Sequence, residues 1–209
     1  MTVRSRPVIV TFGLLTGLFA AGYGVMFTVL DDFRDTYGIS ASALGLVVAM
    51  GFFASFLAQV LVAPFADRGY ARRLVFIGML FNVVGLLAMA VGTSVLPLLA
   101  ARFVMGIGAG MAVPAVRRIV ILAEPDRLGQ NVGRLLAADV TGFAAGPAVS
   151  AILVGPFGIP APFIVIAVAT VACLPVIARV HVTESSAAPQ SRLAFDLLGV
   201  RAFAAAVVM

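Results

Sequence analysis

The sequence predicts an all-α membrane protein: a bundle of six transmembrane helices, a polar linker, and the start of a seventh apolar run. Three observations predict it. Hydrophobic residues make up 62% of the 209 positions and charged residues only 11%, against about 25% charged in a soluble domain. Six uncharged or nearly uncharged runs are long enough to cross a hydrocarbon core of roughly 30 Å. Basic residues fall on alternate connections between those runs.

The first run is Val8–Leu30. Arg4 and Arg6 before it resemble the charged start of a secretory signal, but a signal core is only about 7–15 residues long. It therefore reads as an uncleaved first span. The second lies within Ala43–Phe65, with Ser40 or Ser42 as its N-cap. The third is Leu74–Gly92, and the fourth runs from Val95 to Val116 and contains Arg102. The fifth, Leu135–Val154, contains Asp139, and the sixth is Pro160–Ile177.

All 14 basic residues are arginines. Arg4 and Arg6, then Arg68, Arg72 and Arg73, then Arg117, Arg118, Arg127 and Arg134, then Arg179 and Arg192 occupy one set of ends. The other set holds Asp31, Asp32, Arg34 and Asp35, then Thr93–Ser94, then 155–160. A missed or invented span would scramble this pattern. The positive-inside rule places the N-terminus in the cytoplasm of a multi-pass protein of the cell inner membrane. The net charge of +5 thus reports topology, and nucleic-acid binding is not expected. Asp31 and Asp32 read as solvated.

These boundaries give residues 1–180 as a six-helix domain, 181–199 as a cytoplasmic linker rich in Ser, Glu and Pro, and 200–209 as the start of a seventh span. Ten helical residues reach about 15 Å, half of the core, so the chain reads as truncated there. Gly51-Phe52-Phe53-Ala54 in span two matches Gly142-Phe143-Ala144-Ala145 in span five. That places spans two and five as equivalents in a 3+3 inverted repeat, with chance matching in an Ala- and Gly-rich chain as the rival. Cys173 has no partner for an intrachain disulfide, and His181 has no second ligand at metal spacing. No nucleophile–base pair is present. Neither enzyme activity nor a metal or cofactor is expected.

Three segments carry mechanism. The connection Ala63-Pro64-Phe65-Ala66-Asp67-Arg68-Gly69-Tyr70-Ala71-Arg72-Arg73 offers an acid to free amides at a helix start, with arginines fixing its side of the membrane. It is either a gating element or a plain topological turn. Span four contains Arg102-Phe103-Val104-Met105-Gly106-Ile107-Gly108-Ala109-Gly110. No strand precedes these glycines, so they serve helix packing rather than a phosphate loop, and a guanidinium within a span faces a cavity or a partner. In span five, Gly142, Gly146 and Ser150 recur every four residues and form one helical stripe, with Pro147 beside it and Gly133 further back.

These three segments resemble motifs of the major facilitator transporters. The loop between spans two and three is similar to the family's Asp-Arg loop motif, departing at Ala63, Tyr70 and Ala71, with Gly69 available for the turn. Arg102 sits where the family's span-four arginine is associated with proton transfer. The span-five stripe resembles the antiporter motif of drug:proton exporters, departing at Ser150 and Ala151. The resemblance implies the N-terminal half of a twelve-helix, proton-linked exporter of small molecules working by alternating access. Its partners are the lipid bilayer, protons, a small-molecule substrate and a C-terminal six-helix half. Arg102 and Asp139 are then the proton-coupling candidates, with a static pair between Asp139 and Arg118 or Arg134 as the alternative. Asp67, Arg68, Arg72 and Arg73 form the gating loop. Gly133, Gly142, Gly146 and Pro147 supply close packing. Tyr23, Met26, Phe27 and Met105 are candidates for the substrate cavity. A half that only binds or assembles is the rival function.

Overall fold

The computed structural model describes residues 5–179. The 181–199 linker, the 200–209 run and His181 lie outside the described residues. Within them the chain forms α1 (Ser5–Thr28), α2 (Leu30–Tyr37), α3 (Ala41–Leu61), α4 (Ala71–Val91), α5 (Val95–Ala123), α6 (Leu128–Phe157) and α7 (Pro160–Arg179). All of these except α2 belong to the six helical segments long and apolar enough to cross a membrane. The predicted six-span, all-α, multi-pass architecture is therefore what the chain adopts.

Local chemistry sets the junctions. Ser40 caps α3, its hydroxyl accepting from Ala43 N at 3.3 Å, which satisfies one of the helix's open amides. The 3-10 turn Ala63–Arg68 has Pro64 near its start and closes at Gly69. The φ of Gly69 is +88°, a left-handed conformation that a side chain would strain.

Two boundaries differ from the sequence reading. The fourth span continues to Ala123 rather than Val116, and the fifth begins at Leu128 rather than Leu135. Arginines at 117, 118, 127 and 134 end the apolar runs, but they do not end backbone hydrogen bonding. A helix of 29 residues is about 44 Å long and projects beyond the core. The acidic connection after span one is also a helix, α2. Asp31 and Asp32 occupy its first turn, where the positive end of the helix dipole favours them. Arg34 pairs with Asp31 and Asp35, each at 3.1 Å. Phe33 on the opposite face is buried against Phe163 of α7.

α1 packs along α6, α3 along α5, and α4 against both α5 and α7. Exchanging spans one to three with four to six converts the α1–α6 pair into the α5–α3 pair, as an inverted repeat requires. The two seams are built alike. A Cβ on Gly142 or Gly146 of α6 would strike the carbonyl oxygens of Gly17 and Ala21 on α1. A Cβ on Gly106 or Gly110 of α5 would strike those of Gly51 and Ser55 on α3. In each seam, glycines four apart meet carbonyls four apart, so the paired helices run parallel with backbones in contact. Gly51 and Gly142, aligned by the sequence repeat, thus occupy corresponding seams. α1 is the most buried span, while α3 and α6 leave the largest share of their surface open. Phe52, Phe53 and Phe56 on α3 and Leu136, Val140 and Phe143 on α6 are exposed.

Candidate functional site: a buried arginine and an arginine-rich end

The deepest feature is Arg102 on α5. Its side chain is 0% exposed. Nη1 donates to the Met105 sulfur at 3.3 Å, and the guanidinium lies 4.8 Å from the centroid of the Tyr23 ring on α1. Nε and Nη2 have no hydrogen-bond partner among the described residues. Three helices meet here. Tyr23 Oη donates to the Gly51 carbonyl of α3 at 3.2 Å, and the Tyr23 and Phe52 rings lie 5.3 Å apart. One turn further along α3, the Ser55 hydroxyl accepts from Gln59 Nε2 at 3.2 Å.

Of the predicted cavity residues, Tyr23 covers the arginine and Phe27 is exposed, edge-on to Phe143 at 5.6 Å. Met26 and Met105 lie away from any open face of the bundle. Both are 0% exposed, and Met105 is wedged against the backbone sides of Gly22 and Gly85. Both lie in the core, Met105 where Gly22 on α1 and Gly85 on α4 leave it room. Ser55 and Gln59 were not singled out from sequence, and Gly51 was read there only as part of the internal repeat. A polar pair in the middle of an apolar span was the available signal.

On α6, Gly142 and Gly146 make the predicted close approach, and Pro147 lies within the helix beside them. Gly133 does not. No atom lies within 4 Å of a Cβ built there, because it precedes the crossing with α1. Asp139 is half-buried and feels the charge of Arg117 on α5. The alternative of a fixed pair with Arg118 or Arg134 is not formed among the described residues.

Arg118 is instead engaged by the loop after span two. It donates through Nη1 to the Asp67 carboxylate and through Nη2 to the Asp67 carbonyl at 3.3 Å. Arg72 donates to the Ala178 carbonyl at 2.6 Å, in the last turn of α7. Arg68 lies 4.8 Å above the Phe65 ring and Arg73 5.4 Å above Tyr70. The loop residues thus come together at one end of the bundle, with Arg118 as an unpredicted member.

Fold and site define a multi-pass membrane protein made of two interlocked three-span repeats around an internal cation. The comparison with known proteins makes this specific. Residues 12–208 match the Major Facilitator Superfamily sequence profile, and the chain belongs to that family. It is 30% identical over 157 residues to multidrug resistance protein 2 of Bacillus subtilis (strain 168), covering 72% of this chain and 38% of that one. It is 30% identical over 137 residues to quinolone resistance protein NorA of Staphylococcus aureus (strain MRSA252), covering 63% and 34%. The chain therefore spans only a little over a third of the length of these relatives. Among solved structures, peptide transporter POT in complex with alafosfalin superimposes with a TM-score of 0.72 at 18% identity, over 96% of this chain and 45% of that one. Tetrameric PepTSo2 gives 0.67 at 19% identity, over 98% and 49%. Identities this low speak to the fold alone.

Proposed function

We propose that this chain is the N-terminal half of a proton-coupled exporter of small, mostly apolar molecules, residing in the cell inner membrane with its arginine-rich end in the cytoplasm. The observation that carries the reading is Arg102, a fully buried guanidinium with unspent donors in a bundle whose α1–α6 seam follows the antiporter-motif glycines. A membrane-embedded charge is costly and marks an ion or substrate path. The names of the two relatives, which speak of drug and quinolone resistance, support export as the direction.

In this reading the half rocks against a second six-helix half by alternating access. The open apolar faces of α3 and α6 receive that second half. The Asp67–Arg118 and Arg72–Ala178 contacts hold the cytoplasmic end. Asp139 takes up and releases the coupled proton, and Arg102 responds to the same charge change. Close packing at Gly142 and Gly146 limits leak between α1 and α6.

The test is uptake of a fluorescent quinolone into inside-out vesicles with an acidic lumen, where outward proton flow drives the drug in, with the chain reconstituted alone and together with a C-terminal half. Accumulation that requires both halves and collapses with a protonophore is expected. Accumulation indifferent to the protonophore would remove proton coupling. The same open faces favour a second reading, that this half alone binds or assembles without transporting. That reading predicts folded chain and no flux when the second half is withheld.

A further inference from the structure

We propose that Arg102, Ser55 and Gln59 form a binding site for a free small molecule bearing a carboxylate, with the Tyr23 ring as its lid. The Arg102 guanidinium is fully buried, and two of its nitrogens, Nε and Nη2, lack any partner among the described residues. Its one hydrogen bond goes to a thioether sulfur, a weak acceptor. No ion pair to it is formed among the described residues. A desolvated guanidinium with idle donors is a costly arrangement, and the group that satisfies it best is a carboxylate accepting two parallel N–H bonds.

Access to those donors is controlled by Tyr23. Its ring covers the cation, with 4.8 Å between the guanidinium carbon and the ring centroid, and its hydroxyl is tied to α3 through the Gly51 carbonyl. On the far side of that tie, Gln59 is exposed and spends one amide N–H on Ser55 at 3.2 Å. Its neighbours on the same face are Phe52 and Phe56, both exposed. A primary amide amid a phenylalanine surface is poorly suited to lipid. It is well suited to a ligand with an apolar body and a polar head. Release of the Tyr23 hydroxyl would let the ring swing off the cation, so the head could bond Arg102 while Ser55 and Gln59 hold its outer oxygen.

The proposal rests on the transport reading only in naming the chemical class of the cargo, and its test reads binding rather than flux. The sequence has three tyrosines and no tryptophan, so Tyr37→Phe with Tyr70→Phe leaves Tyr23 as the sole emitter. The purified 209-residue chain in dodecyl maltoside is titrated with hexanoate and, separately, with hexyltrimethylammonium. A saturable change in Tyr23 emission with hexanoate alone is expected. By calorimetry, Arg102→Gln should weaken hexanoate by roughly tenfold or more. Tyr23→Leu, which removes the lid, should tighten it by about threefold. Equal responses to the two probes, or no saturable response to hexanoate, would overturn the proposal. So would unchanged affinity in a helical, monodisperse Arg102→Gln variant. Where that variant does not fold, Tyr23→Leu decides, and unchanged or weaker binding there counts against the site. Flux without hexanoate binding would leave transport standing and remove this site.

Discussion

Arg118 on α5 grips Asp67 twice, at its carboxylate and at its main-chain carbonyl. The contact ties the turn after span two to the projecting end of span four. The Asp67 side chain is 70% exposed and that of Arg118 19%. Such a pair contributes about 0.2–1 kcal/mol to stability, so its weight lies in holding the turn closed. Asp67→Asn should leave the thermal midpoint nearly unchanged. In a Cys173→Ser background, it should speed maleimide labelling of a cysteine placed at the buried position Ala66 by several-fold. Unchanged labelling would reduce the contact to a surface pair.

The α1–α6 seam separates two glycines that the sequence motif groups together. Gly142→Ala drives a methyl into the Gly17 carbonyl and should cost about 2 kcal/mol, in the range of overpacking elsewhere. Gly133→Ala meets open space and should stabilise its helix by up to about 1 kcal/mol. Thermal melts of the two variants in detergent should therefore move in opposite directions.

Arg102 costs stability to keep. Arg102→Met retains an unbranched side chain beside Met105 and removes a buried cation with idle donors. Apolar replacement of buried charge is often neutral or stabilising. The midpoint should hold or rise while proton-driven transport by the assembled protein is lost. A clear fall in the midpoint would mean that the guanidinium is structurally satisfied.

At the arginine-rich end, Arg72 holds the last turn of α7 through the Ala178 carbonyl. Arg72→Ala should speed amide exchange around Ala178 on α7 by roughly fivefold, the effect of losing about 1 kcal/mol of hydrogen-bond stabilisation. Arg73→Ala, whose cation sits over Tyr70 on the loop itself, should not.

The number of spans was legible because lipid imposes a length and arginines mark alternate ends. Ser40 as a cap and Gly69 as a turn residue followed from local backbone chemistry. The true ends of α5 and α6 were not legible. Hydropathy reports where lipid stops, whereas a helix continues as long as its backbone bonds do, here through Arg117, Arg118 and Arg134. α2 was hidden for a related reason, since its charges suggested solvent while Phe33 faced the bundle.

The site was legible by residue type and not by arrangement. A charge at position 102 announces itself in an apolar run. That its cover is Tyr23, tied to Gly51, depends on three helices meeting, and residues 28 positions apart in sequence carry no local sign of it. Met26 and Met105 illustrate the same limit. Whether a methionine in a span lines a cavity or fills a seam depends on which helix faces it. Asp67 found Arg118 rather than free amides because α5 projects far enough to reach the turn.

Proton coupling can be measured at Asp139, the half-buried carboxylate on α6 near the charge of Arg117. A quinolone is added to the assembled transporter in weakly buffered detergent solution, and proton release is followed with a pH indicator. Release on substrate binding is expected, and it should disappear in Asp139→Asn while the quinolone still binds. Undiminished release from Asp139→Asn would contradict proton coupling at this carboxylate.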